Sequence, residues 1–179
     1  MAYGKTIGKI LELLASGLVL GFVRDKSARR KLLEECDKVW HTIDRKQLNQ
    51  IIKKFGMAGL IRVVERSGTE KVFLTDAGRN KFLRYHFHHM KLSKPRRWDK
   101  KWRLVLFDVP EQKRRIRDAL RRKLKELGFL EFQKSVFIVP YPCEDEINFI
   151  INFFDIAEFV FYLEAPLKSD TLFRAHFKV

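Results

Sequence analysis

The sequence predicts an α+β chain in two parts, a helical module closed by a hairpin and then a βαββαβ unit. Three observations predict it. Apolar residues recur at helical spacing in three segments before residue 56. An alternating run over residues 60–75 is interrupted by Ser67-Gly68, a hairpin signal. From Trp102 onward, short apolar runs and two amphipathic segments follow in the order strand, helix, strand, strand, helix, strand.

Composition narrows the class of function. Of 179 residues, 46% are apolar and 33% charged, enough to build cores and unlike a disordered chain. The net charge of +15 is uneven. Residues 1–97 hold 22 Lys/Arg against 9 Asp/Glu, whereas residues 98–179 hold 15 against 13. A basic half joined to a nearly neutral half points to a polyanion partner for the first. Cys36 and Cys143 have neither disulfide nor metal spacing, so a reducing cytoplasm is expected. The uncharged run over residues 13–23 is far short of the ~20 residues that cross a bilayer. It reads as a buried helix, with no signal peptide and no membrane partner.

In chain order, residues 6–20 read as a helix with Ile7, Ile10, Leu11, Leu14 and Leu18 inward. Ser27 caps a second over residues 28–40, burying Leu32, Leu33, Cys36 and Val39. Thr42 or Asp44 caps a third over residues 45–55, whose inner face is Leu48, Ile51, Ile52 and Phe55. Gly56-Met57-Ala58-Gly59 stops it, the hairpin follows, and Asp76 caps a closing helix that runs to Tyr85. This ordered combination is the winged helix-turn-helix pattern. Residues 43–83 resemble that family, down to Phe73-Leu74-Thr75-Asp76-Ala77-Gly78 at the end of the hairpin.

The outer face of the third helix makes the chemical case for double-stranded DNA. Arg, Gln and Asn read base edges in the major groove, and lysines neutralise phosphates. Arg45, Gln47, Asn49 and Gln50 are the candidate base readers, and Lys46, Lys53 and Lys54 the phosphate contacts. Arg62, Arg66 and Lys71 are available on the wing. The plain alternative is a solvated face, since every surface helix is polar on one side.

Residues 1–85 thus form the expected DNA-binding domain and residues 86–98 a basic linker broken by Pro95. Lys91, Lys94, Arg96 and Arg97 in it can follow a phosphate backbone, and Arg96 and Arg97 join the DNA-binding candidates. His86, His88 and His89 lack an acid or cysteine nearby in sequence to complete a metal site.

Residues 99–179 form the second domain. Residues 103–107 are nearly continuously apolar, as for a central strand buried on both faces. A basic helix over residues 111–127 buries Ile116, Ala119, Leu120, Leu124 and Leu127 and exposes Lys113, Arg114, Arg117, Arg121 and Lys125. Gly128 ends it. Residues 129–133 and 135–139 read as two short strands or one bent strand. A helix over residues 144–154 and a strand over residues 158–163 complete the split-βαβ, ferredoxin-like order. The tail, residues 170–179, fits either one helical turn or an edge strand.

Here the residues resemble a known group. Asp108, Arg117 and Gln133-Lys134-Ser135-Val136-Phe137 match features of the small CRISPR adaptation endonuclease, the second CRISPR-associated protein. With Trp98-Asp99-Lys100-Lys101-Trp102-Arg103-Leu104 at its entry, this half resembles still more closely the central domain of PaaX-type repressors, in which a winged helix precedes the same fold. The end of the sequence departs from the pattern of the full-length repressors, in which a further C-terminal domain is expected, and this puts an acyl-CoA effector in doubt.

The PaaX resemblance implies a transcriptional regulator that dimerises through the ferredoxin-like domain and presents two winged helices to a roughly palindromic site. The CRISPR resemblance implies instead a metal-dependent endonuclease or adaptation subunit, with a CRISPR integrase as partner. Asp108 is then both the candidate catalytic residue and the ligand for Mg²⁺, paired with its copy across a dimer. Ser135 is the next candidate phosphate contact. Against this stands a structural role, in which Asp108 caps the basic helix and complements its dipole.

Overall fold

A computed structural model describes residue 34, residues 45–66 and residues 69–179 of the chain. The first two expected helices, apart from Glu34, and the capping residues Ser27, Thr42 and Asp44 lie outside the described residues. The described chain is mixed α/β with two antiparallel sheets, divided into one unit that ends at His89 and another that begins at Met90. Among the described residues no helix is long and apolar enough to cross a membrane.

In the first unit, α1 (Arg45–Met57) leads to the hairpin β1 (Ile61–Arg66) and β2 (Thr69–Leu74), then to α2 (Asp76–His89). Ile51 and Phe55 recur one turn apart and are buried with Leu60, Ile61 and Phe82, so one stripe of α1 faces this core. The helix ends as its glycines predict. Gly59 takes a φ of +65°, its N–H reaches Gly56 O at 2.9 Å, and the Leu60 N–H reaches Phe55 O at 2.8 Å. The register runs from Ile61 opposite Leu74 to Arg66 opposite Thr69, and the expected turn residues Ser67 and Gly68 lie outside the described residues.

The cap of α2 is Thr75 and not Asp76. Its hydroxyl accepts from the Gly78 N–H at 3.1 Å, satisfying one free donor of the first turn, and donates to Gly59 O at 2.6 Å. The helix also runs four residues beyond Tyr85, taking in all three histidines of the expected linker. His89 Nδ1 lies 2.8 Å from Tyr85 O and its ring stacks on that of Tyr85.

The second unit holds β3 (Trp102–Phe107), α3 (Arg114–Glu126), β4 (Leu130–Gln133), β5 (Val136–Val139), α4 (Glu144–Phe154), β6 (Val160–Ala165) and α5 (Thr171–Phe177). Short 3₁₀ turns, Glu111–Lys113 and Ala157–Phe159, precede α3 and β6. The sheet order is β4-β5-β3-β6 with every neighbour antiparallel, so β3 is central as its apolar run predicts. Of the two readings of residues 129–139, the pair of strands is observed, with an irregularity between Glu131 and Gln133. The tail is a helix. Gly128, at φ +89°, ends α3 as predicted.

The central strand is not buried equally on its two faces. Arg103, Val105 and Phe107 share one face and are buried, as are Phe137 and Val139 opposite them and Leu120, Leu124, Ile147 and Ile150 of the two long helices. On the other face Leu104 and Leu106 are only half-buried, and their β6 partners Leu163 and Phe161 are 51% and 60% exposed. Among the described residues, Phe173 and Phe177 of α5 cover the Trp102 end of that face at ring distances of 5.6 and 5.9 Å, and Ile138, opposite Leu104, is buried.

Candidate nucleic-acid interface

The α1 segment RKQLNQIIKKFGM contains four cations and no acid. Lys46, Asn49, Gln50 and Lys53 fall at i, i+3, i+4 and i+7 and are all exposed, as is Lys54. Sequence periodicity and the folded chain agree in putting these five on the outer side. Arg45 and Gln47 lie on the same helix, and Arg66 and Lys71 on the hairpin strands, but their side chains are outside the described residues. Arg62 is exposed on β1. Arg96 and Arg97, both exposed, belong to the second unit.

The basic helix α3 looks similar in sequence and differs in its electrostatics. Arg114 and Arg117 pair with Glu111 at 3.6 and 2.9 Å. Arg121 and Lys125 pair with Glu131, the latter at 2.6 Å, and together they hold its carboxyl below the usual range. Lys123, which falls on the inner stripe at i+7 from Ile116 although it is charged, is buried and pairs with Glu126 at 3.6 Å. Much of this helix's charge is thus answered within the unit. The cations of α1 have no carboxylate on their own helix.

At the end of β3, the Phe107 N–H donates to Ser135 O at 3.0 Å and the Asp108 N–H to Phe159 O at 2.9 Å. This sets Asp108 and the β4–β5 turn side by side, and Arg117 approaches through Val109 O at 3.4 Å. The Asp108 carboxylate is exposed and has no hydrogen-bond or ion-pair partner among the described residues. It is not the expected cap of the basic helix, since neither the 3₁₀ turn nor α3 has a side-chain cap. Glu111, the nearest acid in sequence after it, is taken up by arginines. Among the described residues no three His, Cys, Asp or Glu side chains form a metal-holding group. The Asp108 carboxylate alone does not fit Mg²⁺, which prefers more oxygen ligands.

Sequence reasoning missed the polar centre of the second unit. Arg103 is 3% exposed within an otherwise apolar strand. Its guanidinium donates to Asp99 at 2.7 Å, to Glu164 at 3.1 Å, and to the carbonyls of Lys101 and Pro140 at 3.0 Å each. Nearby, the Trp102 indole donates to Asp170 at 3.0 Å, Arg174 closes on the same carboxylate, and the Arg174 guanidinium lies 4.9 Å from the Trp98 ring. The hydrogen bond from Arg103 holds Asp99 low. Burial raises Glu164, but hydrogen bonds from Arg103 and Tyr162 outweigh it and the net shift is downward. Burial pushes the Cys143 thiol up to about 12. The available signal was a charged residue inside an apolar run, four positions after an acid.

This entry segment and sheet are where the chain meets a known family. Residues 95–173 match the PaaX protein central Cas2-like domain. The match supports a PaaX-type family and covers the second unit almost throughout. No curated protein matches the chain. The Asp99–Arg103 pair and the Trp98–Trp102 contact fall within this PaaX-like domain, which gives a physical reason for its entry motif.

Proposed function

We propose that the chain is a dimeric, cytoplasmic, PaaX-like transcriptional regulator that reads double-stranded DNA. The observation that carries this reading is the acid-free outer face of α1, where lysines flank Asn49 and Gln50. A polar face that was merely solvated would be free to mix both signs of charge, as α3 does. The α1–hairpin–α2 order supports a winged helix-turn-helix, with Arg45, Gln47, Asn49 and Gln50 at the bases and Arg62, Arg66 and Lys71 on the wing. The β4-β5-β3-β6 order supports a ferredoxin-like domain. Its open face, with Phe161 and Leu163 exposed beside Leu104 and Leu106, supports dimerisation, since exposed apolar patches commonly mark an interface.

The test is duplex binding across a salt series. Each phosphate contact contributes about 0.9 to the slope of log K against log salt. Changing Lys46, Lys53 and Lys54 together to Gln lowers that slope by about 2 to 3 units. Arg45→Ala with Gln50→Ala weakens duplex binding and relaxes the preference for one sequence. A slope unchanged in the triple variant overturns the reading.

A second reading, a metal-dependent endonuclease or CRISPR adaptation subunit, is favoured by one observation, the exposed Asp108 carboxylate, which has no partner among the described residues. It requires a second copy to supply another carboxylate for Mg²⁺. Divalent-ion-dependent cleavage that disappears in Asp108→Asn supports it. A preparation shown to be dimeric that cleaves nothing with any divalent ion removes the catalytic version and leaves a purely structural adaptor role.

A further inference from the structure

The segment between α2 and β3 reads as a linker in sequence, yet it is built into the second unit. Met90 is buried at its start. At its end the Trp98 indole donates to Lys101 O at 2.9 Å, the Lys101 N–H donates to Asp99 at 3.1 Å, and the Trp98 and Trp102 rings lie 5.0 Å apart. In between, Lys94 sits 5.5 Å from the Tyr141 ring. The backbone is neither helix nor strand over residues 90–101, so its shape is held by these side-chain anchors.

Between the anchors the charge is one-sided. Lys91, Arg96, Arg97 and Lys100 are exposed, and none of the four side chains has a partner among the described residues. The one acid of the segment, Asp99, is occupied by the buried Arg103, and Lys101 is answered by Glu164 at 3.7 Å. Four such cations lie within ten residues, whereas Arg114, Arg117, Arg121, Lys123 and Lys125 of α3 each pair with a carboxylate. Pro95 further restricts the backbone between them.

We propose that residues 91–100 form a fixed cationic arm of the second unit that grips the phosphate backbone of duplex DNA, separately from the α1 face. The inference rests on the DNA-binding reading and adds a second contact surface to it. A pre-shaped arm binds with less ordering cost than a flexible linker of equal charge. Its contacts go to phosphates, so they add affinity and salt dependence without choosing a sequence.

The experiment compares the full chain with a variant in which Lys91, Arg96, Arg97 and Lys100 are all Gln, beside the α1 triple variant. All four sites are exposed, and an unchanged melting temperature checks that the fold is kept. The arm variant is expected to lose about 3 to 4 units of salt slope equally on specific and random duplexes. A slope within one unit of the parent overturns the arm and leaves these cations to solvent or an acidic protein. If the arm variant loses slope and the α1 variant does not, the arm stands and the α1 reading falls. No duplex binding by the parent chain overturns both.

Discussion

Replacing Arg103 with methionine is expected to lower the stability of the second unit by about 2 to 4 kcal/mol. The side chain keeps much of its volume, so the loss is chiefly electrostatic. Asp99 and Glu164 lose their cation, and the carbonyls of Lys101 and Pro140 lose a donor. Removing one partner of a buried ion pair costs up to ~5 kcal/mol, but Asp99 and Glu164 are 44% and 32% exposed and regain some solvation. Urea unfolding followed by Trp98 and Trp102 fluorescence measures it, and an unchanged midpoint contradicts it. Adding Glu164→Gln to the variant should recover part of the loss, because it removes one of the stranded charges. The same cluster sets an acid response. Asp99 and Glu164 titrate below their ordinary values of 3.8 and 4.5, so their stabilisation is complete above that range. It is lost as pH falls through the depressed values.

Gly78→Ala is expected to destabilise the first unit by about 3 kcal/mol or more, although alanine is the better helix former by about 1 kcal/mol. A Cβ at this position would lie 1.9 Å from Leu60 O and 2.9 Å from its carbonyl carbon. Neither can move alone. Leu60 O accepts the Thr75 N–H at 3.0 Å, and Gly59 O accepts the Thr75 hydroxyl. The start of α2 would have to lift from the turn after α1, taking Phe82 out of the core that supports the α1 face. A lower thermal midpoint and weakened duplex binding are the readouts. A midpoint at or above the parent's sinks the expectation, since propensity alone predicts that outcome.

Much of the architecture is legible from local rules. The α1 stripe, the antiparallel pairing of β1 with β2 and the glycine ends of α1 and α3 each follow from residues a few positions apart. Helix α4 is legible to the residue, although its end carries no glycine. Asp155 occupies the left-handed position at φ +53°, which Asp tolerates better than most side chains. Capping preference alone misplaces the cap of α2 by one residue, because Thr75 and Asp76 are both good capping types. In the folded chain Thr75 takes the Gly78 N–H, and its reach to Gly59, 16 positions away, fixes it there.

Charge is the less legible property. Periodicity shows which side of a helix is polar, but not whether a cation on that side is answered. Arg117, Arg121 and Lys125 read from sequence as exposed charges, and their partners Glu111 and Glu131 come from a turn and a strand. Residues 86–98 read as a linker because Pro95 and the basic run break periodicity. The anchors that hold the later part, Trp98 on Trp102 and Asp99 on Arg103, are visible only when β3 is in place.

The order of elements, the central place of β3, the polar face of α1 and the carboxylate at the end of β3 are all written in the chain itself. These depend on hydrophobic period and turn chemistry, which act over a few residues. The folded state was needed to see that α3 is largely neutralised, that Arg103 is buried among acids from other segments, and that one face of the sheet stays partly open. Folding also makes a fixed arm of an apparent linker. Each of these is set by side chains distant in sequence, and Coulomb and packing energies depend on the distances that only the folded chain supplies.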